Sequence, residues 1–303
     1  MIIVNYIKNK LLLAKFRHPG STFNQKVAVV VVIVISLAPS ARFSNAAQSA
    51  GVSLARQIEL AQSPSRSFAL SFDVKRHGFS FSNWAGLTSQ DALTYANMAR
   101  LFGTNASCAE GEIDSSCLLR SGQRLDLSAA NSLISSGRCE GMVVLSGLLF
   151  TQPQEIKRID STASYAYQIT KETSAKEIAY YSLAQILPEI RSFTSRTLRK
   201  PPYVLGQEIA FQIRIKKLVS LGIYGDGFGH SVLPISVNAT PRETIITVYD
   251  PNFPGEINTL KINNLLGKWT YDRAILADGS IGSISWKGPG RLDFVPLYLR
   301  PKN

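Results

Sequence analysis

The sequence predicts an α+β fold, on three observations. Apolar residues recur at helical spacing through much of the first half of the chain. From about His230 the pattern changes to short runs rich in β-branched and aromatic residues, and Pro, Gly and Asn separate those runs as hairpin turns. Helices followed by strands, rather than the two in alternation, imply a helical layer and an antiparallel sheet. The chain has 303 residues, 45% of them hydrophobic, which suits one globular domain over residues 65–303.

The N-terminal segment stands apart from that domain. Its first 46 residues carry Lys8, Lys10, Lys15, Arg17, Lys26 and Arg42 and no acid, and they flank the apolar run from Val27 to Ala38. A basic flank, a short apolar stretch and the small exit Ser44, Asn45, Ala46 are the layout of an export signal over residues 1–46. The run is about a dozen residues, short of the roughly 20 needed to cross a bilayer. Cleavage after Ala46 is expected, with a retained N-terminal anchor as the alternative. Either way the working domain lies outside the cytoplasm, secreted or in the cell envelope, with no integral membrane domain after cleavage. Residues 47–64 are small and polar and read as a flexible leader.

Loss of the signal reduces the formal net charge from +12 to about +6. The remaining Lys and Arg are scattered, without a stripe interleaved with aromatics, and a nucleic-acid partner is not expected.

Along the domain, "FALSFDV" alternates with strand period. Residues 89–102 place Ala92, Tyr95, Ala96, Ala99 and Phe102 on one helical face, stopped by Gly103. A polar loop with Cys108 and Cys117 follows, then a helix opening at Cys139 in "CEGMVVLSGLLF". Residues 161–198 predict two helices divided by Pro188, and "YVLGQEIAFQIRIKKLVSLG" a third. "HSVLPISVNA", "ETIITVYDPN", "EINTLKINN", "KWTYDRAIL" and "GRLDFVPLYLR" are the expected strands.

Three cysteines are an odd number for an extracytoplasmic protein, so at least one remains a thiol. Cys108 and Cys117 share one polar loop and form the expected disulfide. That leaves Cys139, just after Gly137 and at a helix start, where unpaired N–H groups and about half a positive charge favour an anion. The plain alternative is a buried structural cysteine.

A nucleophilic thiol needs a base, and after the signal only His77 and His230 are present. His230 lies at the end of the glycine-rich "GDGFGH" and the start of a strand. His77, near Trp84, reads as an ordinary loop histidine. Asp250 ends the next strand, 20 residues after His230, a spacing that fits two hairpin-paired strands and makes it the orienting acceptor. Asn252 is the alternative orienter. A zinc site is disfavoured, because the cysteines are separated by eight and twenty-one residues and form no CxxC pair. No cofactor or metal is expected.

The motifs "GRCEGMVVLS", "GHSVLPISV" and "ITVYDPNFPG" resemble those of secreted bacterial papain-like cysteine peptidases, including C39-like domains. The resemblance extends over roughly residues 95–300. It implies a papain-like fold, with a central nucleophile helix packed on an antiparallel sheet. It also implies Cys139 as nucleophile, His230 as general base and Asp250 as orienter, acting through an acyl-enzyme on a peptide or protein substrate. A transglutaminase-like acyltransferase and a catalytically weak binding module are the alternatives. In one respect the sequence departs from the pattern: where such enzymes carry a glutamine about six residues before the nucleophile, this chain has Leu133. The nearest upstream amides, Asn131 and Gln123, do not have the expected spacing. Glu140 beside the thiol opposes the helix dipole, and Arg138 offsets it.

Overall fold

The computed structural model describes residues 65–89, 91–109, 118–225, 228–276 and 278–301. The export signal, the leader and Cys117 lie outside the described residues. The architecture is α+β, with helices against a curled antiparallel sheet.

The first strand, β1 (Arg66–Ala69), is shorter than the "FALSFDV" alternation predicts. Asp73 breaks it: its carboxylate accepts from Lys75 N at 2.8 Å and caps α1 (Val74–His77). The helix expected from residue 89 starts later, as α2 (Tyr95–Phe102), because Asp91 caps nothing and accepts from Thr88 N and from Arg138 instead. After α3 (Thr104–Ser107) comes α4 (Ser121–Ile134), a helix the sequence did not announce.

The central helix α5 (Cys139–Thr151) begins at the cysteine, as expected. Residues 140–147 and Leu149 are buried, so the helix is enclosed on all sides rather than amphipathic. Met142, Val144, Leu145 and Leu149 pack with Ile178, Tyr180 and Tyr181, and Val143 turns to Leu218 and Leu233 of the sheet. Each such side chain contributes about 1.5–3 kcal/mol on leaving water. Gly141 sets the helix spacing: a Cβ there would lie 1.9 Å from Ile178 O on α7 (Lys171–Leu183), after the single turn α6 (Ile156–Ile159). Pro188 opens α8 (Pro188–Leu198), as its position between two helical runs predicts.

α9 (Pro202–Arg214) is shorter than expected. Lys216 takes a left-handed φ of 58°, and the apolar "VSLGIYG" beyond it is β2 (Val219–Gly225), not helix. The rest of the sheet is β3 (Phe228–Ala239), β4 (Glu243–Tyr249), β5 (Ile257–Asn263), β6 (Lys268–Ile275), β7 (Ile281–Lys287) and β8 (Leu292–Pro296). The order is β7-β6-β5-β4-β3-β2-β8, with β1 also on β3. β7 was not foreseen.

β3 organises the sheet. Its first half pairs with β2, and from Leu233 onward it pairs with β4, while β1 takes the edge beyond β2. The register shifts between Pro234 and Ser236, and a bulge is where a mid-strand proline is tolerated. Neighbouring β3 side chains face opposite layers: Val232 packs with Leu205 and Ile209 of α9, and Leu233 packs with Val143 of α5. The start of β3 and the N-terminus of α5 therefore meet at one end of the molecule.

Candidate active site

Gly137 and Arg138 deliver Cys139 to the first position of α5. Gly137 has φ +152°, and Arg138 serves as N-cap with φ −124°. Arg138 is fully buried. Its guanidinium donates to Trp84 O at 3.1 Å, Gly86 O at 2.8 Å and Asp91 Oδ2 at 2.7 Å, and it lies 4.6 Å from the centre of the Trp84 ring. Trp84, Gly86 and Asp91 are thereby tied to the residue preceding the cysteine. Cys139 is a free thiol on a half-buried residue.

His230, on β3, lies within hydrogen-bonding reach of Cys139. Its Nε2 stands 2.7 Å from Asp250 Oδ1, which leaves Nδ1 for the thiol. Burial lowers the affinity of the ring for a proton. The Asp250 carboxylate and the Cys139 sulfur outweigh that and push the His230 pKa up to about 10.

Asp250, the first residue after β4, is fully buried. Its Oδ1 also accepts from Asn252 N at 2.8 Å, and its Oδ2 from Tyr271 Oη at 2.5 Å and Asn258 Nδ2 at 3.4 Å. Burial favours the neutral acid, but the charge on His230 and these donors hold the carboxyl below the usual range. Asn252, the alternative orienter, is also at the site, with Nδ2 3.4 Å from His230 Nε2. Asp250 makes the shorter contact and carries the charge. Tyr271 and Asn258 were not read from the sequence, since β6 and β5 are brought to Asp250 only by sheet order.

A cleft of about 280 Å³ opens at His230, lined by Asn83, Trp84, Ser136, His230, Asn252 and Tyr271 among others. His77 is elsewhere. It packs between Phe72 and Phe150, and its Nδ1 accepts from Asp73 N at 2.8 Å. Asn131 is spent on the Leu93 backbone, accepting from its N at 2.8 Å and donating to its O at 3.0 Å.

A second buried polar group lies beneath the start of α5. Glu140 Oε1 accepts from Ser220 Oγ at 3.1 Å and pairs with Arg300, which meets the expected opposing charge with a cation from the C-terminal end. Beside it Tyr224 Oη donates to Asp293 Oδ2 at 2.7 Å. Burial pushes the Asp293 pKa up to about 7, against the pull of the Tyr224 bond and the Gly222 N–H.

Cys108 is buried and forms a β-bridge with Leu119, which brings the two ends of its loop together. Among the described residues no group of His, Cys, Asp and Glu has a metal-binding arrangement. Among them, too, no single helix is long and apolar enough to cross a membrane. No known protein family, curated protein or solved structure matches this chain.

Proposed function

We propose that this protein is a thiol hydrolase of the papain-like superfamily, cleaving peptide or isopeptide bonds. The observation that supports this best is one continuous chain of contacts, from the half-buried free thiol of Cys139 through His230, which lines a cleft, to the buried Asp250. A structural cysteine needs neither a charged imidazole nor a carboxylate behind that imidazole.

In this mechanism the Cys139 thiol proton resides on His230 Nδ1, and the sulfur attacks the substrate carbonyl carbon. The carbonyl π electrons move onto oxygen. Collapse of the tetrahedral intermediate breaks the C–N bond as His230 protonates the departing amine, leaving a thioester on Cys139. Water then attacks the thioester and gives its proton to His230, and the acid leaves. Asp250 keeps Nε2 engaged and the ring oriented throughout. Further parts of the reading are export through residues 1–46 and a Cys108–Cys117 disulfide; peptide mapping of the mature protein tests both.

The deciding experiment is alkylation by iodoacetamide near pH 6. Cys139 should react far faster than a model thiol, and His230→Ala should remove most of the advantage, about 10²-fold. Equal, slow labelling of the folded wild type and His230→Ala would overturn the hydrolase.

A further inference from the structure

We propose that Asn83 is a catalytic residue, the side-chain donor that stabilises the oxyanion formed at Cys139; this rests on the thiol-hydrolase reading above. Acyl transfer through a tetrahedral intermediate needs hydrogen-bond donors aimed at the developing oxygen charge. The backbone N–H of Cys139 is one such donor, because the first N–H groups of a helix have no intrahelical acceptor. A second must come from another element.

Asn83 joins the two halves of the site. Its backbone N donates to Pro251 O at 2.8 Å, beside Asp250. Its Oδ1 accepts from Arg138 N at 2.7 Å, one residue before Cys139. That bond fixes which end of the amide is oxygen and leaves Nδ2 on the side of the cleft, where it donates to Asn252 Oδ1 at 3.1 Å. An amide nitrogen carries two hydrogens, and Asn252 uses one. The other remains for a ligand in the cleft that Asn83 lines with His230.

Gly137 points the same way. A Cβ at that position would sit 3.2 Å from Asn83 Nδ2, and its φ of +152° already disfavours a side chain. The backbone before the nucleophile is bare where the amide approaches it.

Two reagents separate a donor role from a purely mechanical tie. Acylation of Cys139 by p-nitrophenyl acetate, read as the nitrophenolate burst that Cys139→Ala loses, passes through an oxyanion. The sulfur adds to the ester carbonyl, the intermediate expels nitrophenolate, and a thioester remains. Alkylation by iodoacetamide displaces iodide from a saturated carbon and forms no oxyanion. Asn83→Asp keeps an acceptor for Arg138 N–H but has no Nδ2 hydrogens, and Asn83→Ala removes both.

In both variants the ratio of acylation to alkylation rate should fall about 10²-fold, as loss of one such donor does, with alkylation within about threefold of wild type. A ratio unchanged in Asn83→Asp overturns the proposal. So does an equal fall in both rates, which would make Asn83 only a tie between loops. If wild type and His230→Ala alkylate equally slowly, the hydrolase reading itself falls and this inference with it. If the wild type is activated and the ratio holds, only the Asn83 assignment falls.

Discussion

Two buried aspartates flank the start of α5 and behave in opposite ways. Asp250 faces an imidazole, a tyrosine hydroxyl, a side-chain amide and a backbone N–H, and its carboxyl is held below the usual range. Asp293, comparably buried, has the Tyr224 hydroxyl and the Gly222 N–H, shares its surroundings with Glu140, and is pushed up to about 7. Burial opposes charge at both. The number of donors, and whether the nearest charge is a cation or a carboxylate, decides which carboxyl stays ionised. An orienting group for a charged imidazole must be the first kind.

The contrast is tested most strongly by truncation. Asp250→Ala leaves the imidazole, Tyr271 and Asn258 without their buried acceptor and should cost about 3–5 kcal/mol in urea unfolding at pH 7. Asp293→Ala leaves one hydroxyl and one amide and should cost about 1–3 kcal/mol. Equal losses would break the distinction.

The pH dependence of stability comes next. Asp293 has a folded pKa raised above its unfolded value, so the folded state holds its proton more tightly. Its contribution is complete below about pH 4 and is lost as pH rises through about 7. The wild type should lose up to about 1.4 kcal/mol per pH unit from this group across that window. Asp293→Asn should flatten the slope in unfolding curves taken from pH 4 to 8. His230 is also raised, and its contribution is complete below about pH 6.5 and lost only as pH climbs through about 10. A decline between about pH 4 and 7 that persists in Asp293→Asn would assign it to another group.

The smallest effect expected is from Tyr271→Phe. It removes one donor from Asp250 and moves that carboxylate toward the condition of Asp293. Because Asp250 stays ionised where His230 titrates, its charge is then less compensated, and the His230 titration midpoint followed by NMR should shift upward. No movement would mean that Oδ1 and its partners alone set the charge of the pair.

The sequence marked the catalytic candidates better than their surroundings. Cys139 after Gly137, and His230 and Asp250 on consecutive strands, are local signals, and local signals survive the absence of a structure. Tyr271, Asn258 and Asn83 reach the site through strand order and a long loop, which leave no fixed spacing in the chain. The fold divides similarly. The buried hydrophobic helix α5 and the strands β3 to β6 were legible. α4 was not, because "SGQRLDLSAANSLI" carries Gly, Ser and Asn with little propensity for helix. β2 merged with α9 because the turn at Lys216 uses a left-handed residue that is not glycine. β7 escaped because it is a largely exposed edge strand whose Gly and Ser residues interrupt the apolar pattern, with Ile284 as its residue packed on the core.

The enclosure of α5 also bears on how the protein unfolds. A helix buried from Glu140 to Gly147, with Gly141 seated against the backbone of α7, has no partial opening that frees it alone. Beyond its first turn, its amide hydrogens should exchange with solvent only through global opening, as slowly as those of the sheet. Cys139 thus begins a helix that belongs to the last cooperative unit to open, and on heating any enhanced reactivity of its thiol should disappear together with the folded state in a single step.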